Sequence, residues 1–321
     1  MDRLYSFVLP AYKVRFFKES IDSILAQTYT NFELVVVNDA SPEDLEGIIK
    51  LYDDPRIKYY VNKENIGGKD LVAQWNTCLN LSKGEYIILA SDDDVYHPKY
   101  LEIMNSLITK YSNINIFRPR VQFINEMGKI VGFDGYLKEE MTQLEYLHAW
   151  IIGWIGSGIP FYVFRKESLI AIGGFVKYPL AWFSDDATAF ELAREGVATS
   201  NEILFSFRMS GENISTKKQS YKVLLQKVNA AEKFYNFIKD YIESLDTDDD
   251  VSMAMVNSIR QKFYRFIRDN KVFNHMFNTS IWNSLLISYR ISKLEFVSVR
   301  SLIKRWLQYG IDKIHELFTF V

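Results

Sequence analysis

Residues 92–94 of this 321-residue chain are three consecutive aspartates. They follow an apolar run, Tyr86-Ile87-Ile88-Leu89-Ala90, that reads as a buried strand bounded by Gly84 and Ser91. The C-terminal end of a strand is where open parallel sheets bind ligands. Adjacent carboxylates there need a cation or open water to stay ionised. Taken alone, Asp92, Asp93 and Asp94 fit an acidic turn before a helix at Pro98 equally well. Asp39 follows a second apolar run, and Asp185-Asp186 follow Trp182-Phe183-Ser184, where capping of a helix start is the plain alternative. Carboxylates cannot hold a diphosphate directly, but a hard divalent cation between them can. The chemistry these residues offer together is a nucleotide diphosphate bridged by Mg2+ or Mn2+.

The elements that must position them are legible in order. Apolar runs at 6–9, 32–37, 57–61 and 86–90 predict strands. Helical spacing follows each one, at 16–25, from Pro42, at 69–81 and from Pro98 to about 111. Pro10 is expected to end the first strand, and Ser41 to cap the second helix with Pro42 at its first position. The alternation predicts βαβ units and a parallel sheet with right-handed crossovers. The loops at Ala11-Tyr12, at Asp39 and at Asp92 to Asp94 then share one edge. No Gly-x-Gly-x-x-Gly follows the first strand and no Gly-Lys-Ser/Thr loop is present, which argues against dinucleotide and P-loop sites.

Beyond 111 the pattern changes. Runs 114–125 and 129–133 around Glu126-Met127-Gly128 predict an antiparallel addition to the sheet. A helix is expected at 143–152, a glycine-rich aromatic loop at 153–158, a strand at 161–164, and a short helix at 166–172 stopped by Gly173-Gly174. The acidic pair opens a helix to about 195. From Tyr221 the texture is helical, and Asp246 to Asp250 reads as a solvated loop. In the last segment Val299, Leu302, Ile303, Trp306, Leu307, Ile311, Ile314, Leu317 and Phe318 share a side, while Arg300, Lys304, Arg305 and Lys313 lie elsewhere. That segment is expected to pack in a bundle against the first domain or a second subunit, or to touch a membrane surface.

Composition bounds the answer. At 48% apolar and 15% aromatic residues the chain can build a core. A net charge of −2 gives no basic field for nucleic acid. Cys78 is the single cysteine, which excludes an internal disulfide framework and fits a reducing compartment. Met1-Asp2-Arg3 does not introduce a secretory apolar core, and no run approaches the roughly 20 apolar residues of a membrane span.

Taken together the motifs resemble the family-two glycosyltransferases, inverting enzymes with the GT-A fold. Val8-Leu9-Pro10-Ala11-Tyr12 is similar to their opening strand and loop, and Val36-Val37-Asn38-Asp39-Ala40-Ser41 to the base-contacting signature. Asn65-Ile66-Gly67, Ala73-Gln74-Trp75-Asn76 and Gly84-Glu85-Tyr86-Ile87 resemble the run into the metal motif, and Asp92-Asp93-Asp94 with Pro98 the motif itself. Ser91 stands where the family usually has its first aspartate. Gly173-Gly174-Phe175 and Asp185-Asp186 resemble the acceptor-side signatures, and Arg208, Asn213 and Ser215 the closing segment. Trp75, Cys78 and Ser210 stand where many members have arginine, glycine and histidine.

The resemblance covers roughly residues 4–216. It implies a GT-A-type, mostly parallel α/β catalytic domain over 1–216 and a helical region over 217–321. It also implies an inverting transfer of sugar from a nucleotide-diphosphate donor, a UDP-sugar first, to a saccharide or lipid-linked acceptor. The setting would be bacterial surface-polysaccharide or lipopolysaccharide assembly, in the cytoplasm or at the inner face of the membrane. Pro10, Ala11, Tyr12, Asp39, Gly67, Lys69, Asp92 and Asp93 would bind the donor, and Asp92, Asp93 and Asp94 the Mn2+ or Mg2+. Asp186, with Asp185 as second choice, would be the base, and Trp182 would stack on a sugar. The competing readings are a metal-dependent nucleotidyltransferase and a non-catalytic sugar-nucleotide-binding protein.

Overall fold

Runs of β-branched and aromatic residues that are apolar on both faces can only sit in the middle of a covered sheet. Phe7, Val8 and Leu9, Leu34 to Val37, and Ile87 with Ile88 are such runs, each with no exposed surface. The computed structural model describes residues 2–209, 219–246, 248–277 and 279–318. It places these runs in β1 (Tyr5–Ala11), β2 (Phe32–Asn38) and β4 (Tyr86–Leu89). With β3 (Ile57–Val61) they form a parallel half-sheet in the order β3-β2-β1-β4. The crossovers are α1 (Phe17–Leu25), α2 (Leu45–Ile49) and α3 (Leu71–Leu81).

The second half of the sheet is mixed. β6 (Ile116–Asn125) and β10 (Val197–Met209) pair in parallel, and β9 (Val163–Arg165) runs antiparallel between β4 and β6. Short strands finish it: β5 (Val95–Tyr96) and β8 (Glu140–Met141) lie antiparallel on β10, and β7 (Ile130–Phe133) antiparallel on β6. Between them come α4 (Tyr100–Lys110), α5 (Gln143–Ile151), α6 (Lys166–Ala171) and α7 (Ser184–Leu192). The antiparallel addition to a parallel sheet is therefore present.

Three local expectations change. Pro10 does not end β1. Ala90 N–H donates to Val8 O at 2.8 Å, so residues of that parity face β4, and the ladder with β4 ends at Val8–Leu89. Pro10 sits one such step further on, where no neighbour needs its missing N–H. Ser41 does not cap α2; Asp44 does, accepting from Gly47 N–H at 2.8 Å. Ser41 Oγ instead donates to Tyr12 O at 2.6 Å. The strand expected at 161–164 begins at Val163, after a 3-10 turn over Ile159–Phe161.

Two compact units divide the chain, 1–212 and 213–321. The boundary expected at 216 lies outside the described residues. In the second unit α8 (Tyr221–Ser244) and α9 (Asp250–Arg265) lead into a π-helical stretch, Phe266–Phe273. Next come α10 (Asn274–Met276), α11 (Ile281–Ile291) and α12 (Val299–Phe318). Phe234, Ile238, Ile259, Phe263 and Ile291 form its core. The acidic segment before α9 supplies that helix's cap, Asp249 accepting from Ser252 N–H at 2.8 Å.

Candidate active site

The C-terminal edge of β2, β1 and β4 gathers the polar loops. Asp39, 4% exposed, is clamped. Its Oδ1 accepts from Asn62 Nδ2 at 2.7 Å and Ile66 N–H at 2.8 Å, and its Oδ2 from Gly67 N–H at 2.7 Å. A Cβ at Gly67 would lie 2.9 Å from Asp39 Oδ2, so only glycine lets the amide approach this closely. Asp39 N–H donates to Ala11 O at 3.0 Å, which binds the two loops together. Tyr12, half-exposed, stands beside them.

The aspartate triplet divides by environment. Asp92 is buried, and its Oδ2 accepts the backbone N–H groups of Tyr12 at 3.0 Å and Lys13 at 2.8 Å. Burial pushes its carboxyl up, while those two amides pull it down. Asp94 has no exposed surface; its Oδ1 accepts from Arg208 N–H at 2.8 Å, and its Oδ2 has no hydrogen-bond partner among the described residues. Burial, followed by the charge of Asp93, drives this carboxyl well above the usual range. Asp93 is the partly exposed member, with Ser91 Oγ donating to its Oδ1. Among the described residues no three His, Cys, Asp or Glu side chains converge as a ready-made metal cage.

Arg208 fixes this turn from below. Its guanidinium is buried, donates through Nε to Asp93 O at 2.8 Å, pairs with Glu19 at 2.7 Å and lies 4.2 Å over the Phe16 ring. Asn213, Ser215 and Ser210 lie outside the described residues. Lys69 stands on the exposed rim, paired with Glu64.

The motifs at 173–175 and 182–186 form a separate wall tied to α3. Asn76 Oδ1 accepts from Phe175 N–H at 3.0 Å, and Trp75 packs edge-to-face on the Phe175 ring at 5.7 Å. Gly173 and Gly174 have φ of 89° and 88°, and a Cβ at Gly174 would strike Asn76. Lys177 pairs with Asp70, the cap of α3. Immediately before α7, Leu180, Ala181 and Phe183 all hold positive φ, 60°, 55° and 66°. Such a backbone costs about 1–3 kcal/mol per residue and collects at working sites. Asp186 is buried at the first turn of α7, and Asp185 Oδ1 accepts its N–H at 3.0 Å. Trp182 is half-buried, edge-to-face on Phe183 at 6.3 Å.

Behind Asp186 lies a polar network that composition and motifs did not announce. Tyr146 and Tyr162 share a hydroxyl contact at 2.5 Å, and Ser157 Oγ reaches Tyr162 at 3.1 Å. Burial raises both phenols, and the charge of Asp186 adds to it. Arg118, fully buried, pairs with Asp134 and donates to Gly156 O at 3.1 Å; Asp134 accepts from Gly156 N–H at 2.7 Å. The available signal was Arg118 itself, a cation between the apolar Ile116-Phe117 and Pro119 at the start of β6 that must find a partner.

Glycosyl transferase family 2 has a sequence model that matches residues 6–166. The chain belongs to that family. An uncharacterized glycosyltransferase of Rickettsia prowazekii is 37% identical over 114 residues, 35% of this chain and 34% of its own. The putative glycosyltransferase EpsE of Bacillus subtilis is 35% identical over 113 residues, 34% of this chain and 40% of its own. The family-2 chain thus aligns with little more than a third of such relatives. Crystal structures of S. aureus TarS 1–349 share the fold: TM-score 0.61 at 16% identity, covering 92% of this chain and 82% of that one. TarS 1–349 has also been crystallised with UDP and with UDP-GlcNAc. The mixed α/β sheet flanked by helices is the one the resemblance implied.

Proposed function

We propose that this chain is an inverting glycosyltransferase that moves a sugar from a nucleotide-diphosphate donor, a UDP-sugar first, to a saccharide or lipid-linked hydroxyl. The observation that carries the reading is the donor edge. Asp39 and Asp92 are locked by backbone amides beside Tyr12, and the partly exposed Asp93 lies next to them. Tyr12 and Asp39 hold the base and ribose, with Pro10, Ala11 and Gly67 shaping the slot and Lys69 at its rim.

A divalent cation fits this edge. Mg2+ and Mn2+ sites on nucleotides commonly use one or two carboxylates and complete their shell with phosphate and water. Asp93 is the first-choice ligand, and the unpartnered Asp94 Oδ2 and the Asp92 carboxylate are the reserve. When bound, the ion offsets the negative charge that grows on the departing diphosphate.

Asp186 takes the proton of the acceptor hydroxyl. The freed oxygen pair bonds to the anomeric carbon from the face opposite the diphosphate, and the bond from that carbon to the β-phosphate oxygen breaks. A nucleoside diphosphate leaves. The burial of Asp186, whose charge is felt by the Tyr146 and Tyr162 phenols, supports it over Asp185, and Trp182 offers a flat ring to the acceptor sugar. The product belongs to cell-surface polysaccharide assembly, made at the cytoplasmic side.

Turnover of UDP-, GDP- and dTDP-sugars with and without Mn2+ tests this. Asp93→Asn should remove the metal stimulation. Asp186→Asn should lower transfer by about 10²–10⁴-fold while leaving donor affinity intact. If no donor binds or turns over with metal present, the transferase reading fails, and pyrophosphate release from a nucleoside triphosphate would establish the nucleotidyltransferase instead. Full transfer by Asp186→Asn would remove it as the base.

A further inference from the structure

Two helices of the C-terminal unit carry apolar stripes that remain uncovered among the described residues. On α11 the stripe is Ile281, Trp282, Leu285, Leu286 and Tyr289, with Trp282 74% and Tyr289 70% exposed. On α12 Val299, Ile303, Leu307 and Ile311 repeat every fourth residue and are 49–63% exposed. These are not residues waiting for the bundle core, because both helices already pack by other sides. Ile287 and Ile291 of α11 and Leu302 of α12 are buried. Trp306 Nε1 donates to Ser288 Oγ at 3.0 Å, and Tyr309 stacks on Phe277 at 3.9 Å.

These contacts also set the geometry. Trp306 of α12 meets Ser288 of α11, and the Phe277 ring, which precedes α11, meets both Trp306 edge-to-face at 4.9 Å and Tyr309. On each, the exposed stripe lies about a quarter-turn from the contact line, in the same rotational sense. Beside that contact each helix turns its own apolar stripe to solvent.

The charge around these stripes is one-sided. Residues 281–311 hold five bases, Arg290, Lys293, Arg300, Lys304 and Arg305, against one acid, Glu295, in a chain whose net charge is −2. Arg290 is held by Glu232 and Glu295 by Lys239, both within the bundle. Lys293 lies over the Tyr289 ring at 5.1 Å, and Arg300 and Lys304 are exposed beside the α12 stripe. A second copy seated here would bring the same cations to the interface, with no acidic residue in either stripe among the described residues to meet them. Phosphate headgroups over acyl chains match both halves of the pattern, and Trp and Tyr favour that boundary. Among the described residues no helix is long and apolar enough to cross a membrane, so the pair would lie flat.

We propose that the α11–α12 face seats on an anionic lipid surface, with Trp282 and Tyr289 at headgroup depth and Lys293, Arg300 and Lys304 against lipid phosphates. The test is flotation of the full chain with phosphatidylcholine vesicles and with vesicles containing about one-third phosphatidylglycerol. The chain should float with the anionic vesicles, and less so at high salt. Trp282→Ser with Leu286→Ser, and separately Lys293→Glu with Arg300→Glu and Lys304→Glu, should each cut binding by about tenfold or more. All of these positions are exposed, and circular dichroism checks that the variants stay folded. Failure to float with anionic vesicles overturns the proposal, as does equal binding to neutral ones or binding untouched by both variants. Self-association abolished by Trp282→Ser with Leu286→Ser, without flotation, would make the face a subunit interface and also overturn it.

Discussion

At the scale of single residues, the edge proposed to take the donor depends on backbone amides reaching carboxylates that water would otherwise hold. Gly67 shows this most sharply, since its amide meets Asp39 Oδ2 where a Cβ would lie 2.9 Å away. Gly67→Ala should therefore push the 62–67 loop off Asp39. We expect donor affinity to drop by roughly tenfold, about 1.4 kcal/mol, with the melting temperature little changed. Calorimetric titration with the donor nucleotide measures the first and a thermal scan the second; an unaltered affinity would show that the loop can yield. The aspartate triplet was visible in the sequence as a cluster, but its division of labour was not. Which of three identical neighbours faces inward is set by the amides of Tyr12, Lys13 and Arg208, and all three lie 79 to 114 residues away in the chain.

Among the elements, α3 is the hinge of the site's two walls. Its cap, Asp70, accepts from Ala73 N–H at 3.1 Å and also pairs with Lys177 of the acceptor segment. The Lys177 ammonium holds the Asp70 carboxyl below the usual range, with the helix amides helping. A depressed carboxyl stabilises the fold above its unfolded pKa near 4, and that contribution is lost as pH falls through the folded value. Asp70→Asn keeps the cap and loses the ion pair; Asp70→Ala loses both, at about 1 kcal/mol for the cap. Urea unfolding at neutral and at acid pH should show the gap between parent and Asp70→Asn closing on acidification. A constant gap would mean that the pair contributes nothing.

Elements with regular periods were readable in advance, including the parallel half-sheet and the hairpin at 126–128. β10 was not. Its middle, Thr199-Ser200-Asn201-Glu202, breaks the apolar pattern because the strand shifts register against β6 at that point. Ser41 misled for a related reason: a residue suited to capping is used instead to bind the Tyr12 loop.

Across the catalytic unit, the buried Arg118–Asp134 pair anchors the 153–158 loop to the sheet. Removing one partner leaves an uncompensated charge in the interior, which costs about 3–5 kcal/mol, whereas replacing both with apolar groups is often neutral. Arg118→Met should lower the urea midpoint sharply, and Arg118→Met with Asp134→Leu should recover most of it. Equal destabilisation by the single and double variants would show that the hydrogen bonds to Gly156, rather than the charges, carry the effect. No periodicity could have shown this pair, since the ion pair itself is made by side chains, although the Asp134 backbone N–H also donates to Val121 O of β6 at 2.9 Å.

The sheet's order has a consequence for biosynthesis. β10 lies between β6 and β5, yet of the described strands it is the last to leave the ribosome, and it brings the Arg208 that braces the aspartate turn. Until residue 209 has emerged, β6 keeps an open edge and the nascent chain carries its aspartates without their brace. Exposed edges of this kind invite intermolecular pairing. Translation pauses or chaperone capture should therefore matter most in the interval between the synthesis of β6 and that of β10.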